Sequence, residues 1–452
     1  MDDSNYRIGI DVGGTFTDIV AVSDKGTVIF SKAPSTPADP SIGVMDAIAR
    51  LSHELRTESA VLLSKTERIV HGTTVATNAL LERKGAKTGL LTTIGHRDVL
   101  EMREGLKDDR YNMRLAAPET LVPRYLRLGV KERIRPDGSI HVPLDNDSLD
   151  AAIEKLKEAD VTSIAVCYLH AYKESKHEKE TRARIESKLP GVSVSLSSEV
   201  FPEIKEYERV STTVVNAYVR PVVEKYLRKL GDRLRETGYQ GPVLIILSHG
   251  GVAPIDEAVR LAAGTVLSGP AGGVAGSRYG SSLIGAENLV PFDMGGTSTD
   301  ISMIVNGEPA LSSTRGIAGQ RVALQSLDIV SIASGGGSIA RVDNGGILRV
   351  GPESAGAVPG PACYGKGGVE VAVTDTSVVL GFLDPNNFLG GRESLDKEAA
   401  EVAVDKLASK LSVSRAEAAE GVHRVINTQM AEGIRLVSVR RGDEPRNVQS
   451  LS

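Results

Sequence analysis

The chain has 452 residues, 41% of them hydrophobic and 25% charged, with a formal net charge of −5. That length calls for two or more domains and a large core that needs no staples; the acidic balance, an aromatic share of 4% and the lack of Trp argue against a nucleic-acid surface. Cys167 and Cys363 stand alone without CxxC spacing, which excludes a disulfide framework, structural zinc and an iron–sulfur cluster and points to a reducing cytoplasm. With no basic leader and no apolar run long enough to span a bilayer, a soluble cytoplasmic chain without a signal peptide is expected.

Residues 6–32 predict a β-meander: an apolar strand Tyr6–Ile10, a Gly-Gly turn, an alternating strand Thr17–Ser23, a turn at Asp24-Lys25-Gly26 and a third strand Thr27–Lys32. Ser41–Arg56 carries Ile42, Met45, Ile48 and Ala49 at helical spacing, with Ser41 as its N-cap. A strand Arg68–Val70 leads to His71-Gly72-Thr73-Thr74, then a helix Val75–Arg83 and a strand Lys87–Thr92. Residues 103–145 lack a sustained period and predict loops and short strands. Helix Leu149–Ala159, buried strand Ser163–Leu169, helix Glu178–Leu189 and strand Ser193–Ser197 alternate after them. A long helix over about Val210–Thr237 contains Pro221, where a kink or a break is expected. Strand Pro242–Leu247 ends at Ser248-His249-Gly250-Gly251; Gly264–Gly276 and Gly335–Gly368 are Gly-rich, with loops expected at Ser268–Gly273 and Gly335–Ser338. Helices Leu395–Leu411 and Arg415–Val439 close the chain, the second capped by Ser414 with Glu417 three residues on.

One nine-residue phrase occurs twice. Asp11-Val-Gly-Gly-Thr-Phe-Thr-Asp-Ile19 returns as Asp293-Met-Gly-Gly-Thr-Ser-Thr-Asp-Ile301, each time after an apolar run (Tyr6–Ile10, Asn288–Phe292) and before another (Ile19–Val22, Ile301–Val305). That is strand, Gly-rich turn, strand. Two glycines let main-chain N–H groups approach an anion with no Cβ in the way, and an Asp at the strand end suits a hydrated Mg²⁺, which takes one or two carboxylates beside phosphate and water. A lone Gly-Gly hairpin usually binds nothing; a matched pair is expected to grip a nucleotide's phosphates from two sides, with Gly13, Gly14, Thr15, Thr17 in one copy and Gly295, Gly296, Thr297, Ser298 in the other. Asp18 and Asp300 fit better as braces of the hairpins than as ligand contacts.

The paired hairpins resemble those of the actin, sugar-kinase and Hsp70 superfamily of ATPases. More closely, the chain is similar to the hydantoinase A and 5-oxoprolinase family, which includes N-methylhydantoinase, caprolactamase and acetone carboxylase subunits. The resemblance rests on Ile10–Asp18, His71–Arg83, Ser248–Gly251, Leu267–Gly276, Phe292–Ile301, Asp328–Asp343 and Gly360–Gly368 with Thr374-Asp375. It implies an α/β fold of duplicated ribonuclease H-like domains with mixed sheets and an inserted α/β region, divided into an N-terminal domain (1–195) and a core domain (196–452). It further implies ATP and Mg²⁺ as cofactors, with Asp11 and Asp293 as metal ligands and, with His71, catalytic residues. The activity implied is phosphorylation of the carbonyl oxygen of a lactam, hydantoin or similar cyclic amide, followed by ring opening with a hydantoinase B-type partner in a homo- or hetero-oligomer. Ketone activation by a carboxylase subunit, a stable-product kinase and a non-enzymatic ATP-gated binding module are the alternatives.

Other positions carry two readings. Ser268, Gly269 and Gly272 in one loop, and Gly336 and Gly337 in another, are either tight connections or phosphate and sugar contacts, the first favoured for ligand proximity by its place upstream of the second hairpin. His71 is either a satisfied structural histidine or a substrate contact. His249 is doubtful as a catalytic residue, Cys363 reads as structural, and Arg103 or Arg110 could meet an acidic substrate. Members of the family are generally longer; the chain departs from their pattern at Asn447–Ser452, so a missing closing portion of the nucleotide domain, and little ATPase activity of the chain alone, are expected.

Overall fold

The computed structural model describes residues 4–451 apart from residues 15, 37, 106–110, 117–118, 389–390, 392, 440–441 and 443–448. Thr15 and Arg110 therefore lie outside the described residues. The chain forms two compact units, Met1–Ala271 with Leu311–Ser326, and Gly272–Ala310 with Leu327–Ser452.

In the first unit, alternating apolar residues build the meander. Strands β1 (Tyr6–Val12), β2 (Phe16–Ser23) and β3 (Val28–Pro34) run antiparallel in sequence. Ile8, Ile10 and Val12 of β1 all point to one buried face, as the two-residue period of a strand requires. Strand β4 (Thr66–Thr73) lies parallel to β1. Strands β5 (Thr88–Thr93), β6 (Arg127–Val130), β7 (Ser163–Cys167) and β8 (Ser193–Leu196) form a separate four-stranded parallel sheet in the order β8-β7-β5-β6. That is the inserted α/β region. Strands β9 (Val243–Ile246) and β10 (Val252–Pro254) complete the first sheet in the order β10-β9-β4-β1-β2-β3.

Helix α1 (Pro40–Glu54) starts one residue before the expected cap: Asp39 is the N-cap, without a side-chain cap bond, and Pro40 occupies the first position, where its missing N–H costs nothing. Ser41 is inside the helix and donates to Asp39 Oδ1. Its core face is Val44, Ala47, Ile48 and Leu51, whereas Ile42 is exposed. Helix α2 (Val75–Leu81) follows β4 directly. Helices α3 (Asn146–Glu158) and α4 (Lys176–Lys188) flank the parallel sheet. Helix α5 (Glu206–Glu236) is a single 31-residue element with Pro221 in its interior; no break occurs. Val219, Val223, Leu227 and Leu230 are fully buried on either side of the proline, and burying each contributes roughly 1.5–3 kcal/mol, enough to offset the bond that Pro221 removes.

Helix α6 (Ser268–Ile284) occupies the Gly-rich segment expected to be a loop. In the second unit, β11 (Leu289–Met294) pairs antiparallel with β12 (Thr299–Ile301), and the short strands β13 (Ile304–Val305) and β14 (Glu308–Pro309) extend one side. Strand β15 (Val330–Ile332) lies antiparallel beside β12, and β16 (Gln449–Leu451) lies parallel beside β11. The neighbours β16-β11-β12-β15 repeat β4-β1-β2-β3 in order and direction. The duplication seen in the sequence is thus a duplication of fold. Helices α7 (Lys397–Leu411) and α8 (Arg415–Ser438) stack in this unit, α8 with the expected Ser414–Glu417 capping box. No helix among the described residues is long and apolar enough to cross a membrane.

Candidate active site

The first hairpin closes by a main-chain bond from Gly13 N–H to Phe16 C=O of 3.0 Å, with Asp11 opposite Asp18 and Val12 opposite Thr17. A Cβ on Gly13 would sit 3.2 Å from that same carbonyl oxygen, whereas around Gly14 nothing lies within 4 Å. Gly14 is therefore the open point of the turn. Ser35 donates to Gly13 C=O at 2.8 Å and Lys32 holds Asp18 at 3.0 Å, so the turn is braced from both sides and Asp18 acts as anticipated. Thr17 departs from the expectation of a phosphate contact: it is fully buried and its hydroxyl lies 3.2 Å from Ser35 Oγ.

Two separated motifs converge on this hairpin within the first unit. Thr74 donates through both N–H and hydroxyl to Val12 C=O, at 3.2 and 3.1 Å. Ser268 Oγ donates to Thr73 C=O at 2.8 Å and accepts from Thr73 N–H at 3.2 Å. These bonds bring Gly72 and Gly269 against the Asp11 carboxylate, where a Cβ would lie 3.1 and 3.4 Å from Oδ1 respectively. Glycine at both places leaves the exposed Asp11 room for a ligand. The first turn of α6 is also the end of a helix that favours negative charge. Ser268 itself is fully buried and saturated by Thr73, which makes it a brace and not a ligand contact. Gly272 lies one turn further into α6, half-buried.

His71 does not end its strand; β4 continues to Thr73 and His71 is wholly buried, its Nε2 2.7 Å from Tyr226 Oη. Burial pulls its pKa down from 6.5 to about 4, because a desolvated imidazolium is costly. A neutral, enclosed ring cannot touch substrate. His71 is a positioning residue for Tyr226 and β4, which corrects the expectation that it is catalytic. Tyr226 was not singled out from the sequence: on a long amphipathic helix an aromatic residue at helical spacing looks like any other core side chain.

The second unit repeats the hairpin closure. Gly295 N–H bonds Ser298 C=O at 2.9 Å, and Asp293 faces Asp300 as Asp11 faces Asp18. Asp293, Gly296 and Thr297 are exposed, Ser298 half-buried, and nothing stands within 4 Å of a Cβ on Gly296. Asp300 accepts from the Ser331 hydroxyl, again as a brace. Gly336 and Gly337 serve differently from expectation: their N–H groups bond Gly295 C=O at 3.0 Å and Gly296 C=O at 2.6 Å. Donors spent on the hairpin are not available to phosphate. A Cβ on Gly335 would fall 2.7 Å from Gly296 C and Thr297 N, so this loop is glycine-rich because one main chain lies directly on another.

The remaining residues singled out are structural. Asp375 accepts N–H bonds from Ala362, Cys363 and Ala372 at 3.2, 2.8 and 2.8 Å. Burial, and then the charge of Asp375, push the Cys363 thiol far above its usual range, leaving no nucleophilic thiolate. His249 accepts from Gly251 N–H at 3.1 Å. Arg103 donates to Gly319 C=O at 3.0 Å.

A profile of the hydantoinase/oxoprolinase family matches residues 209–452, and one for the hydantoinase/oxoprolinase N-terminal region matches residues 7–189. The alpha subunit of caprolactamase from Pseudomonas jessenii is 40% identical over 450 residues, covering 99% of this chain and 65% of that subunit. The crystal structure of the ATP-dependent caprolactamase from that organism superposes with a TM-score of 0.84 at 39% identity, covering 98% of this chain and 65% of that one. A nucleotide-free structure of acetone carboxylase gives a TM-score of 0.86 at 29% identity over 99% of this chain and 65% of that one. The chain thus spans about two thirds of the length of the proteins it matches.

Proposed function

The chain is a member of the hydantoinase/oxoprolinase family, and on that basis we propose that it activates the carbonyl oxygen of a small cyclic amide by phosphorylation from ATP. Amide resonance makes such a carbonyl a poor electrophile; with its oxygen phosphorylated, water adds to the ring carbon, the C–N bond breaks to release the ring nitrogen as an amine, and hydrolysis of the acyl phosphate left behind gives the carboxylate and inorganic phosphate. The observation that carries this reading is the convergence of Asp11, the open turn at Gly14, and the two glycines, Gly72 and Gly269, that keep space beside the carboxylate. Phosphoryl transfer needs mainly positioning and charge neutralisation. Gly14 in the first unit and Gly296 in the second each present unobstructed main chain for phosphate oxygens.

The residues present suit Mg²⁺. Among the described residues no group of three or more His, Cys, Asp or Glu forms a cage, and Mg²⁺ needs none, since it keeps most of its waters and takes one or two carboxylates. Asp11 in the first unit and Asp293 in the second are the carboxylates suited to it, and a bound ion would neutralise charge on the transferring phosphoryl group. A hydantoinase B-type subunit takes the activated intermediate onward, and the site lies in the cytoplasm.

A lactam labelled with ¹⁸O at its carbonyl, incubated with the protein, a hydantoinase B-type subunit and Mg-ATP, tests the chemistry. Label in inorganic phosphate, with ADP and the ring-opened amino acid in equal amounts, is the expected outcome. Label retained wholly in the carboxylate, or a stable phosphate ester, would overturn it. Because acetone carboxylase shares the fold as fully as caprolactamase does, the same assay run with a ketone and bicarbonate separates the carboxylase alternative.

A further inference from the structure

The parallel sheet of the inserted region has a point where its strand order turns back. In the order β8-β7-β5-β6 the chain steps from β5 to β6 on one side, then continues through β7 and β8 on the other. In open parallel sheets, ligands settle outside the carboxyl ends of the strands at such a reversal. The strands end level here, with Thr93 beside Val130 and Thr92 beside Cys167. Three residues beyond the last residue of each strand stands a basic side chain: His96 after β5, Arg133 after β6 and His170 after β7.

A buried network fixes the loops that carry them. Thr93 donates its hydroxyl to Glu132 in the loop after β6, and accepts at 2.9 Å from the N–H of Leu169 in the loop after β7. The other oxygen of Glu132 lies 2.8 Å from Nδ1 of His177 on α4. Thr93, Glu132 and His177 are all buried.

The basic groups themselves have little to balance them. Arg133 lies 3.3 Å from His96 Nε2 and makes no ion pair among the described residues. The Tyr172 hydroxyl is 3.5 Å from His170 Nδ1, and Arg209 and Lys173 stand over the Tyr172 ring at 5.4 and 5.9 Å. The carboxylates that act on both histidines are Glu132, already committed to Thr93 and His177, and Glu206 at the exposed start of α5. Burial first, then the charge of Arg133, hold His96 below its ordinary pKa of 6.5; burial, then Arg209 and Arg133, do the same for His170. His170 also has a φ of 58°, a left-handed conformation uncommon outside glycine and frequent at binding sites. Like charges held together repel, and an anion among them turns that repulsion into attraction.

We infer that His96, Arg133 and His170 form a binding site for a small doubly charged oxyanion, separate from the glycine turns and independent of the function proposed above. A phosphoryl group and a dicarboxylate share that chemistry. Because the anion favours protonated rings, each histidine takes up a proton on binding, and affinity rises as the pH falls.

The full chain labelled with ¹³C in its 8 histidine rings tests this by NMR. It is titrated with malonate and with sulfate, which stands in for a phosphoryl group because it keeps both charges at every pH used. His96→Gln and His170→Gln identify the two signals. Both rings are expected to titrate at a higher pH with the anion present, and sulfate to bind about tenfold more tightly at pH 6 than at pH 8 by calorimetry. Arg133→Met should weaken binding about tenfold, Arg133→Lys should keep most of it, and Glu206→Gln should tighten it. A response to sulfate alone, or to malonate alone, upholds the site and tells a phosphoryl group from a dicarboxylate. Rings that do not move at roughly 10 mM of either anion, or a response as large in Arg133→Met as in the unaltered protein, overturn the inference.

Discussion

Asp11 is accessible because two neighbours have no side chain. A methyl group on Gly72 would press to 3.1 Å from its carboxylate oxygen, tighter than an ordinary contact. Gly72→Ala is therefore expected to weaken Mg-ADP binding about tenfold, and Asp11→Asn about a hundredfold with little change in unfolding midpoint, both measurable by calorimetry. His71 acts through stability. Its folded pKa, about 4 against 6.5, is depressed, so below pH 6.5 the unfolded chain takes a proton that the folded chain refuses. Stability is thus intact above about pH 6.5 and declines as the pH falls toward 4, by about 2 kcal/mol between pH 7 and pH 5. Burial holds His96, His170 and His423 low as well, each adding in the same direction. The diagnostic is the difference between His71→Gln and the unaltered protein in urea unfolding at the two pH values: an identical slope would refute the assignment. At this scale the sequence pointed to the turn that carries Asp11 and Gly14 but could not show that the Thr17 hydroxyl turns inward, because that depends on the packing of Ser35 beneath the turn.

Helix α8 shows both what the sequence reveals about an element and what it hides. Its cap was legible, since Ser414 and Glu417 satisfy each other's main-chain partners locally. Ser414→Ala should cost about 1 kcal/mol, read as a lowered urea midpoint. Hidden was Gly433, where a Cβ would come 2.5 Å from Ile301 Cδ1 and 3.2 Å from Ile332 Cδ1. That absence lets α8 lie close on β12 and β15, behind the second hairpin. Gly433→Ala should cost about 1–3 kcal/mol by overpacking, with a loss of Mg-ADP affinity if β12 shifts; full stability would show that the helix yields instead. Helix α6 was misread for a related reason. Each glycine disfavours a helix by about 1 kcal/mol, yet Ala271 and Val274 are buried and Ser268 is tied to Thr73, and tertiary contact overrides local preference. The same applies to α5 at Pro221.

Over the whole chain, the repeated phrase gave away the repeated fold. What it could not disclose was the second layer under each turn, because Ser35 and Gly335–Gly337 reach their hairpins from distant positions. Gly14→Val is expected to weaken Mg-ADP binding by tenfold or more, measured by calorimetry, and Gly296→Val tested alongside it reads the second turn separately. An unchanged affinity in Gly296→Val would restrict the nucleotide to the first unit. Length matters to the comparison with relatives: the chain spans 65% of the caprolactamase subunit, so the assay for ring opening is best run with and without candidate companion subunits.

Because the second turn is backed by main chain, with Gly336 and Gly337 bonded to Gly295 and Gly296, its glycine pair is held by backbone and not by side chains. Additions there can only obstruct. A directed library would therefore gain more from positions beside the turns than from the glycines within them.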